Sequence, residues 1–108
     1  MRATPDVAFA ADQAHGVEVY YTPLDGSPGL FITEGGTSVG APAVAAYIAV
    51  AGASANVLSQ MYAKANLNSL LYRDVLSGST GGLTKPCQAA MGFDCATGLG
   101  TPTGIAAF

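Results

Sequence analysis

The sequence predicts an α/β domain, because two strand patterns in its first third are followed by two helical patterns. The stretch "VEVYYT" (17–22) alternates β-branched and aromatic residues, which is typical of a strand. "LFITE" (30–34) predicts a second strand, and the turn-forming "PLDGSPG" between the two indicates a hairpin. Residues 39–52 are almost uncharged and predict a buried helix, and residues 56–67 predict a second helix.

The remaining segments are assigned in chain order. "MRATPDVAFAADQAHG" predicts a short extended piece and then a polar loop. Pro42 is expected in the first turn of the first helix, where a missing N–H is tolerated. The second helix carries an apolar stripe that predicts core, formed by Val57, Leu58, Met61, Tyr62 and Leu67. "NSLLYRDV" predicts a helical turn or an extended piece, and a long glycine-rich loop follows. "TPTGIAAF" predicts the beginning of a last helix, capped by Thr101 or Thr103.

Composition limits the classes of function. The 108 residues suit a single domain, 1–108, and only a tenth of them are charged, with a net charge of −3. We therefore expect no nucleic-acid partner, which requires a basic face, and no docking on an anionic membrane. The longest apolar run, residues 41–53, is shorter than the roughly 20 residues that span a bilayer. The N-terminus lacks the pattern of a secretory signal peptide.

Two cysteines, Cys87 and Cys95, lie close together in "CQAAMGFDC". A zinc site usually needs four ligands, and two thiols with one distant histidine do not supply them. The spacing favours a local disulfide and hence an oxidising compartment. A pair of reduced, packed thiols has the same spacing, so both states remain open at this point.

A serine follows two glycines at the start of the first predicted helix, in "TEGGTSVGAPAVAAYIAVAGAS" (33–54). Glycines allow a tight turn and the close approach of another chain. The free N–H groups and the positive dipole end of a helix would stabilise negative charge beside Ser38, as a nucleophilic serine requires when a carbonyl becomes an oxyanion. On this geometry alone, a helix N-cap is the commoner role for Ser38.

The octapeptide "GGTSVGAP" resembles the nucleophile motif of the sedolisin family, which are serine-carboxyl peptidases with a subtilisin-like fold. "RATPDVAFAAD" with "GVEVYYT" is similar to the family's segment just upstream of the serine. "LLYRDVLSGSTGG" and "GFDCATGLGTP" resemble its C-terminal portion, in the same order. The resemblance implies the C-terminal portion of a subtilisin-like parallel sheet with flanking helices and a β-hairpin. It also implies a partial peptidase catalytic domain, secreted within a longer precursor.

By this resemblance, Ser38 is the catalytic serine of an endopeptidase and attacks the scissile carbonyl of a polypeptide substrate. The family uses a glutamate as general base, with an aspartate behind it, and a further aspartate in the oxyanion hole. A carboxylate base suits acidic conditions, in which a histidine would be protonated. These three acids lie N-terminal to the matched region. We therefore expect the chain to be inactive alone and to need the missing N-terminal part of the catalytic domain as a partner.

Acidic residues and a histidine within the chain offer weaker alternatives for the base. Glu18 and Glu34 lie in no segment that resembles the family's base motif. Glu34 lies four positions before Ser38, and a proton relay between the two is disfavoured. A triad with the lone histidine and Asp6 or Asp12 is disfavoured more strongly, since triads are defined by geometry.

The C-terminal resemblance also implies a Ca²⁺ site. The matching ligands are the side chains of Asp74 and Asp94 and the main-chain oxygens of Val75, Ala90 and Gly92. Ca²⁺ takes six to eight such oxygens, and it would hold the loop 76–93 in place. Ala90 stands where the family usually has glycine, so its carbonyl can serve only if its φ is not positive. Without the resemblance, Asp74 and Asp94 would be interpreted as turn and cap residues.

The second interpretation of the chain is non-catalytic. In it the chain is a truncated product or fragment that folds alone, or a homodimer whose second copy covers an exposed sheet edge. Its function would then be none, or calcium-dependent binding.

Overall fold

The structure is a computed structural model that describes residues 5–53, 55–81 and 87–108. These residues form a small α/β fold with two α-helices and two antiparallel sheets of two strands each. The described chain divides into two units, of which one is Ala10–Val44 and the other comprises the described residues on either side of it. The predicted α/β class is confirmed, and no parallel sheet is formed within these described ranges.

The unit Ala10–Val44 contains the predicted hairpin. Strands β1 (Val17–Tyr21) and β2 (Leu30–Glu34) pair in antiparallel register. Gly26 lies between them at a φ of 83°, a conformation that favours glycine. The Asp-Gly pair of the sequence therefore indicated the turn correctly.

One face of the hairpin is entirely apolar apart from the terminal Glu34. Alternation along paired strands puts every second residue on the same face. The apolar members of this face are Val17, Val19, Tyr21, Leu30 and Ile32. Each of these side chains is exposed or half-buried, so the face is only partly covered.

Helix α1 spans Thr37–Val50, so it begins two residues earlier than predicted and contains Pro42 in its second turn rather than its first. Because proline has no N–H, the carbonyl of Ser38 lacks the hydrogen bond that residue 42 would otherwise donate. The prediction that this helix is buried is wrong, since Gly40 is its one buried residue. A helix that is apolar on all sides needs neighbours all round it, and the described chain has too few elements to supply them.

Helix α1 ends at a glycine in the left-handed conformation. The N–H of Gly52 donates to the carbonyl of Ala49 at 3.1 Å, and the N–H of Ala53 donates to Ile48 at 3.2 Å. Gly52 has a φ of 65°, which only glycine adopts without cost. This is a Schellman termination, and it satisfies carbonyls that the helix end leaves without partners.

The other unit contains helix α2 (Val57–Leu67) and a two-stranded sheet of β3 (Tyr72–Arg73) and β4 (Thr101–Pro102). Its buried hydrophobic residues are Met61, Tyr72, Ala107 and Phe108. Of the predicted stripe on α2, Met61 is buried, but Leu58 and Leu67 are exposed. No helix in the part of the chain that the structure describes is long and apolar enough to cross a bilayer.

The predicted last helix is reduced to a single 3₁₀ turn, Ile105–Ala107, preceded by Gly104. Neither predicted cap acts as one, because Thr101 lies in β4 and the hydroxyl of Thr103 donates to the carbonyl of Leu71 at 3.0 Å. Thr103 therefore joins the C-terminal segment to the chain that enters β3.

The segment 98–100 lies against the N-terminal segment. The N–H of Leu99 donates to the carbonyl of Asp6 at 2.9 Å, and the N–H of Ala8 donates to Gly100 at 3.0 Å, so the two segments run in the same direction. Gly98 has a φ of 66°, and a Cβ there would overlap the main chain of Asp6. The motif "GLG" is thus required where two stretches of main chain meet.

Candidate functional site

Two glycines position the chain that leads from β2 into α1. The N–H of Gly36 donates to the carbonyl of Ala11 at 2.7 Å, and Gly36 has a φ of 98°. At Gly35 a Cβ would lie 2.6 Å from the nitrogen of Gln13, which is too close for any side chain. Ser38 follows as the second residue of α1, and it is exposed. The glycines are therefore needed to bring this turn against the segment 11–13.

The geometry argues against an N-cap role for Ser38. The helix begins at Thr37, so Ser38 lies inside its first turn rather than before it. Its hydroxyl forms no hydrogen bond with any described residue, whereas an N-cap hydroxyl would accept one from the helix backbone. In the first turn the N–H of Val39 donates to the carbonyl of Gly36 at 3.0 Å, whereas the N–H groups before it have no acceptor within the helix. The positive end of the helix dipole lies there. This position puts an exposed hydroxyl beside helix N–H donors, and attack on a carbonyl would also need a base to accept its proton.

The chain's own candidate bases are not bonded to Ser38. Asp12 and His15 form a pair in which Oδ2 and Nδ1 are 2.8 Å apart, and both side chains are exposed. The hydrogen bond with His15 lowers the pKa of Asp12, and the hydrogen bond from the N–H of Ala14 lowers it by a smaller amount. No hydrogen bond links Ser38 to His15 or to the half-buried Glu34 within the described ranges. Asp12 and His15 are therefore paired with each other, and neither is hydrogen-bonded to Ser38.

Asp94 lies at the centre of the C-terminal loop and is 8% exposed. Its Oδ2 accepts the N–H of Ala90 at 2.9 Å, and its Oδ1 accepts the N–H groups of Ala96 and Thr97 at 2.8 and 2.7 Å. The hydroxyl of Thr97 also lies 3.1 Å from Oδ2. These donors, the N–H of Ala90 first, favour the charged form and lower the pKa of Asp94 against the opposing effect of burial.

Asp74 has one satisfied and one unsatisfied carboxylate oxygen. Oδ2 accepts the N–H of Gly92 at 2.7 Å. Oδ1 is buried and has no hydrogen-bond partner among the described residues. Such an oxygen is costly, because burial removes its water and nothing on the described chain replaces it. A bound cation would restore a partner, so this one oxygen is compatible with the metal that the resemblance implies.

Two hydrogen bonds join four of the five predicted ligand positions in pairs, Ala90 with Asp94 and Gly92 with Asp74, and Val75 directly follows Asp74 in the chain. Ala90 meets its condition, since no described residue other than glycine has a positive φ. No cluster of three or more Asp, Glu, His or Cys side chains occurs in the described ranges. Both oxygens of Asp94 already accept hydrogen bonds, whereas Oδ1 of Asp74 has no partner among the described residues. A Ca²⁺ ion would therefore have to draw most of its oxygens from main-chain carbonyls, as Ca²⁺ allows.

A disulfide closes this loop. Cys87 and Cys95 are bonded, with their Cα atoms 5.3 Å apart, so of the two states left open by the sequence the structure has the disulfide. The bridge encloses three of the predicted ligand positions, Ala90, Gly92 and Asp94. It limits the freedom of this segment in the unfolded chain and so favours the folded loop.

Sequence reasoning missed Thr97, which anchors Asp94 through both its N–H and its hydroxyl. The signal was present in "DCAT", because an aspartate three residues before a threonine is typical of a side chain that accepts local N–H groups. It also missed the hydrogen bond from the Tyr62 hydroxyl to Asp6 at 2.9 Å. That bond joins residues 56 positions apart, and no local pattern predicts it.

The chain was compared with models of known protein families, with curated proteins and with solved structures, and none of the three comparisons found a match.

Proposed function

We propose that the chain is the nucleophile and calcium portion of a sedolisin-like serine endopeptidase that hydrolyses polypeptides. One observation carries the proposal: Ser38 is exposed in the first turn of α1. A strand and two glycines precede that helix, and at Gly35 the main chain passes too close to the segment 11–13 for any side chain. The quoted motifs add to it, since they occur in the order that the family has. Secretion as part of a longer precursor, in which disulfides persist, agrees with the Cys87–Cys95 bridge.

In this proposal the Ser38 Oγ attacks the scissile carbonyl carbon, and its proton passes to a carboxylate base that the N-terminal part of the catalytic domain supplies. The first-turn N–H groups of α1 favour the oxyanion that forms. A base outside the chain is consistent with the lack of a bonded base at Ser38 among the described residues. The chain alone is therefore expected to be inactive.

Two features support a larger sheet of the subtilisin-like kind. Residues 6–8 and 99–100 run in the same direction and are joined by two backbone hydrogen bonds, although neither segment is a strand in this structure. Helix α1 is apolar all round yet mostly exposed or half-buried, as expected for a helix that further elements cover.

Calcium has a structural role in this proposal. Asp74 and Asp94 would hold it by side chain, and Val75, Ala90 and Gly92 by main-chain oxygen. The ion would neutralise the buried carboxylate of Asp74 and fix the loop between the two aspartates. The observation that supports this is the partnerless Oδ1 of Asp74.

A fluorophosphonate probe tests the nucleophile. We expect little labelling of the chain alone, and labelling of Ser38 when the N-terminal portion of a sedolisin catalytic domain is added. Ser38→Ala should abolish it, and Ser59→Ala, an exposed serine on α2, should not. Folded chain that binds the added portion but stays unlabelled would overturn the proposal.

The second candidate function is calcium-dependent binding without catalysis, either by the monomer or by a homodimer. The observation that favours it is again the unsatisfied Oδ1 of Asp74, which needs no nucleophile. Light scattering with and without Ca²⁺ distinguishes the two forms. A calcium-dependent rise in mass with no labelling of Ser38 in any mixture would support this function over the first.

A further inference from the structure

A cavity of about 180 Å³ lies beside the C-terminal end of α2. Its wall includes Ala65 and Asn66 from α2, Ser69 from the turn that follows, Tyr72, Asp74 and Phe93. All of these residues belong to one unit. The wall thus combines two aromatic residues with three polar ones.

The charge of this cavity is negative. Asp74 is the one ionisable carboxylate that lines it, and no Lys, Arg or His does so among the described residues. The Oδ1 atom of Asp74 has almost no accessible surface and no hydrogen-bond partner among those residues, so it adds negative potential to the cavity from below the surface of its wall. The side chains of Asn66 and Ser69 form no hydrogen bonds with described residues, so they are free to meet a ligand. Such a wall attracts a cation and has apolar surface for its stem.

We infer that this cavity binds a protonated primary amine carried on a short apolar stem. The ammonium group would lie near Asp74, and the stem would lie against Tyr72 and Phe93, whose faces favour a nearby cation. The volume is below the roughly 300–1,000 Å³ of sites for drug-sized ligands, so the ligand is small. A free amine and a lysine side chain of a peptide share this chemistry.

The site does not depend on the calcium proposal, although the two cations would compete for the same carboxylate. Binding of one then lowers the affinity for the other by the same factor. Amine titrations are therefore made with a chelator present, and a separate series adds Ca²⁺.

The test compares benzylamine with benzyl alcohol, which has the same shape and no charge, by NMR shifts of the residues that line the cavity. We expect benzylamine to bind with a Kd of about 1 mM, as its small size allows, and at least about tenfold more tightly than the alcohol. A second arm uses Nα-acetyl-lysine methylamide. Tighter binding of this compound assigns the site to peptide lysines, and tighter binding of benzylamine assigns it to free amines. Equal binding of amine and alcohol, or no binding of either amine, overturns the inference.

Two variants separate this site from the metal site. Ala65→Leu should fill the cavity and lower amine affinity at least about tenfold, while the response of the melting temperature to Ca²⁺ is kept. Ala63→Leu is the matched control, because Ala63 is exposed on the same helix and does not line the cavity. Asp74→Asn should lower amine affinity to that of the alcohol. If both Ala65→Leu and Asp74→Asn bind the amine as tightly as the parent does, the inference is overturned. If the parent binds the amine but its melting temperature does not change with Ca²⁺, only the calcium proposal is overturned.

Discussion

The N–H of Gly92 donates a 2.7 Å hydrogen bond to one oxygen of Asp74, 18 residues earlier in the chain, while the other oxygen is buried without a partner on the described chain. This carboxylate is half satisfied by the fold itself. The unsatisfied half makes the metal-free loop less stable than it could be, and a cation changes that balance. Removing the charge of Asp74 should therefore change the stability of the protein in opposite ways with and without calcium.

Asp74→Asn keeps an oxygen that can accept the N–H of Gly92 and removes the charge. With a chelator present, we expect its stability to equal or exceed that of the parent by up to about 1 kcal/mol, since a buried uncompensated charge is gone. With saturating Ca²⁺, the parent should melt at a higher temperature and the variant should not respond. Calorimetry under both conditions checks this, and equal calcium responses of the two proteins would contradict it.

Tyr72 makes the fold sensitive to alkali. Its hydroxyl donates to the carbonyl of Ala107 at 2.7 Å, and burial, with a smaller effect of Tyr62, raises its pKa to about 12 from 10.0. Because the folded pKa is the higher one, the neutral tyrosine stabilises the fold fully below pH 10, and this contribution is lost as the pH rises towards 12. Denaturant titrations between these pH values should show stability falling.

Tyr72→Phe removes the hydrogen bond to Ala107 and should lower the free energy of unfolding by about 1 kcal/mol at neutral pH. Its free energy of unfolding should then fall less than that of the parent as the pH rises to about 12. Tyr21→Phe, at an exposed position on β1, is the control and should behave as the parent does. An identical alkaline loss in Tyr72→Phe would show that another group is responsible.

The disulfide should stabilise both the fold and the metal loop. Closing a loop of this length contributes about 2–3 kcal/mol in the chain-entropy model. We expect the double variant Cys87→Ser, Cys95→Ser to lose stability of that order and to bind Ca²⁺ more weakly. Chemical denaturation with and without Ca²⁺ measures both quantities. Reduction of the parent should reproduce the loss, and reducing agent should leave the double variant unchanged.

Gly98 and Gly52 form a matched pair for a test of the chain crossing. Their φ angles are 66° and 65°, but a Cβ at Gly98 would overlap the main chain of Asp6, whereas nothing lies within 4 Å of one at Gly52. Gly52→Ala should cost about 1–2 kcal/mol, the strain of the left-handed conformation. Gly98→Ala should lower stability clearly more than Gly52→Ala does. A lower melting temperature and a lower yield of soluble protein than for Gly52→Ala would show this. Equal costs would mean that residues 6 and 98 do not meet.

Local patterns predicted the parts of the fold that depend on neighbours in sequence. The hairpin follows from alternation and from Asp-Gly, and both helices follow from their spacing and composition. The burial of α1 could not be predicted in this way, because burial depends on what surrounds a helix. The predicted threonine caps of the last helical turn were wrong, because the hydroxyl of Thr103 bonds the carbonyl of Leu71 instead.

At the candidate site the sequence indicated residue identities better than contacts. It singled out Ser38, Asp74 and Asp94 from motifs, and the structure shows their local settings. The unsatisfied oxygen of Asp74 and the donors around Asp94 depend on how a long loop folds back on itself. Such contacts join distant parts of the chain and leave no periodic trace in the sequence.

The meeting of Asp6 with Leu99 has a consequence for how the protein is made. A ribosome releases residue 6 before residues 98–100 have been synthesised. Contacts between residues so far apart in sequence close a long loop, and such contacts slow folding. This contact therefore cannot form until synthesis has passed residue 100, and a chaperone that holds the nascent chain would raise the yield of folded molecules.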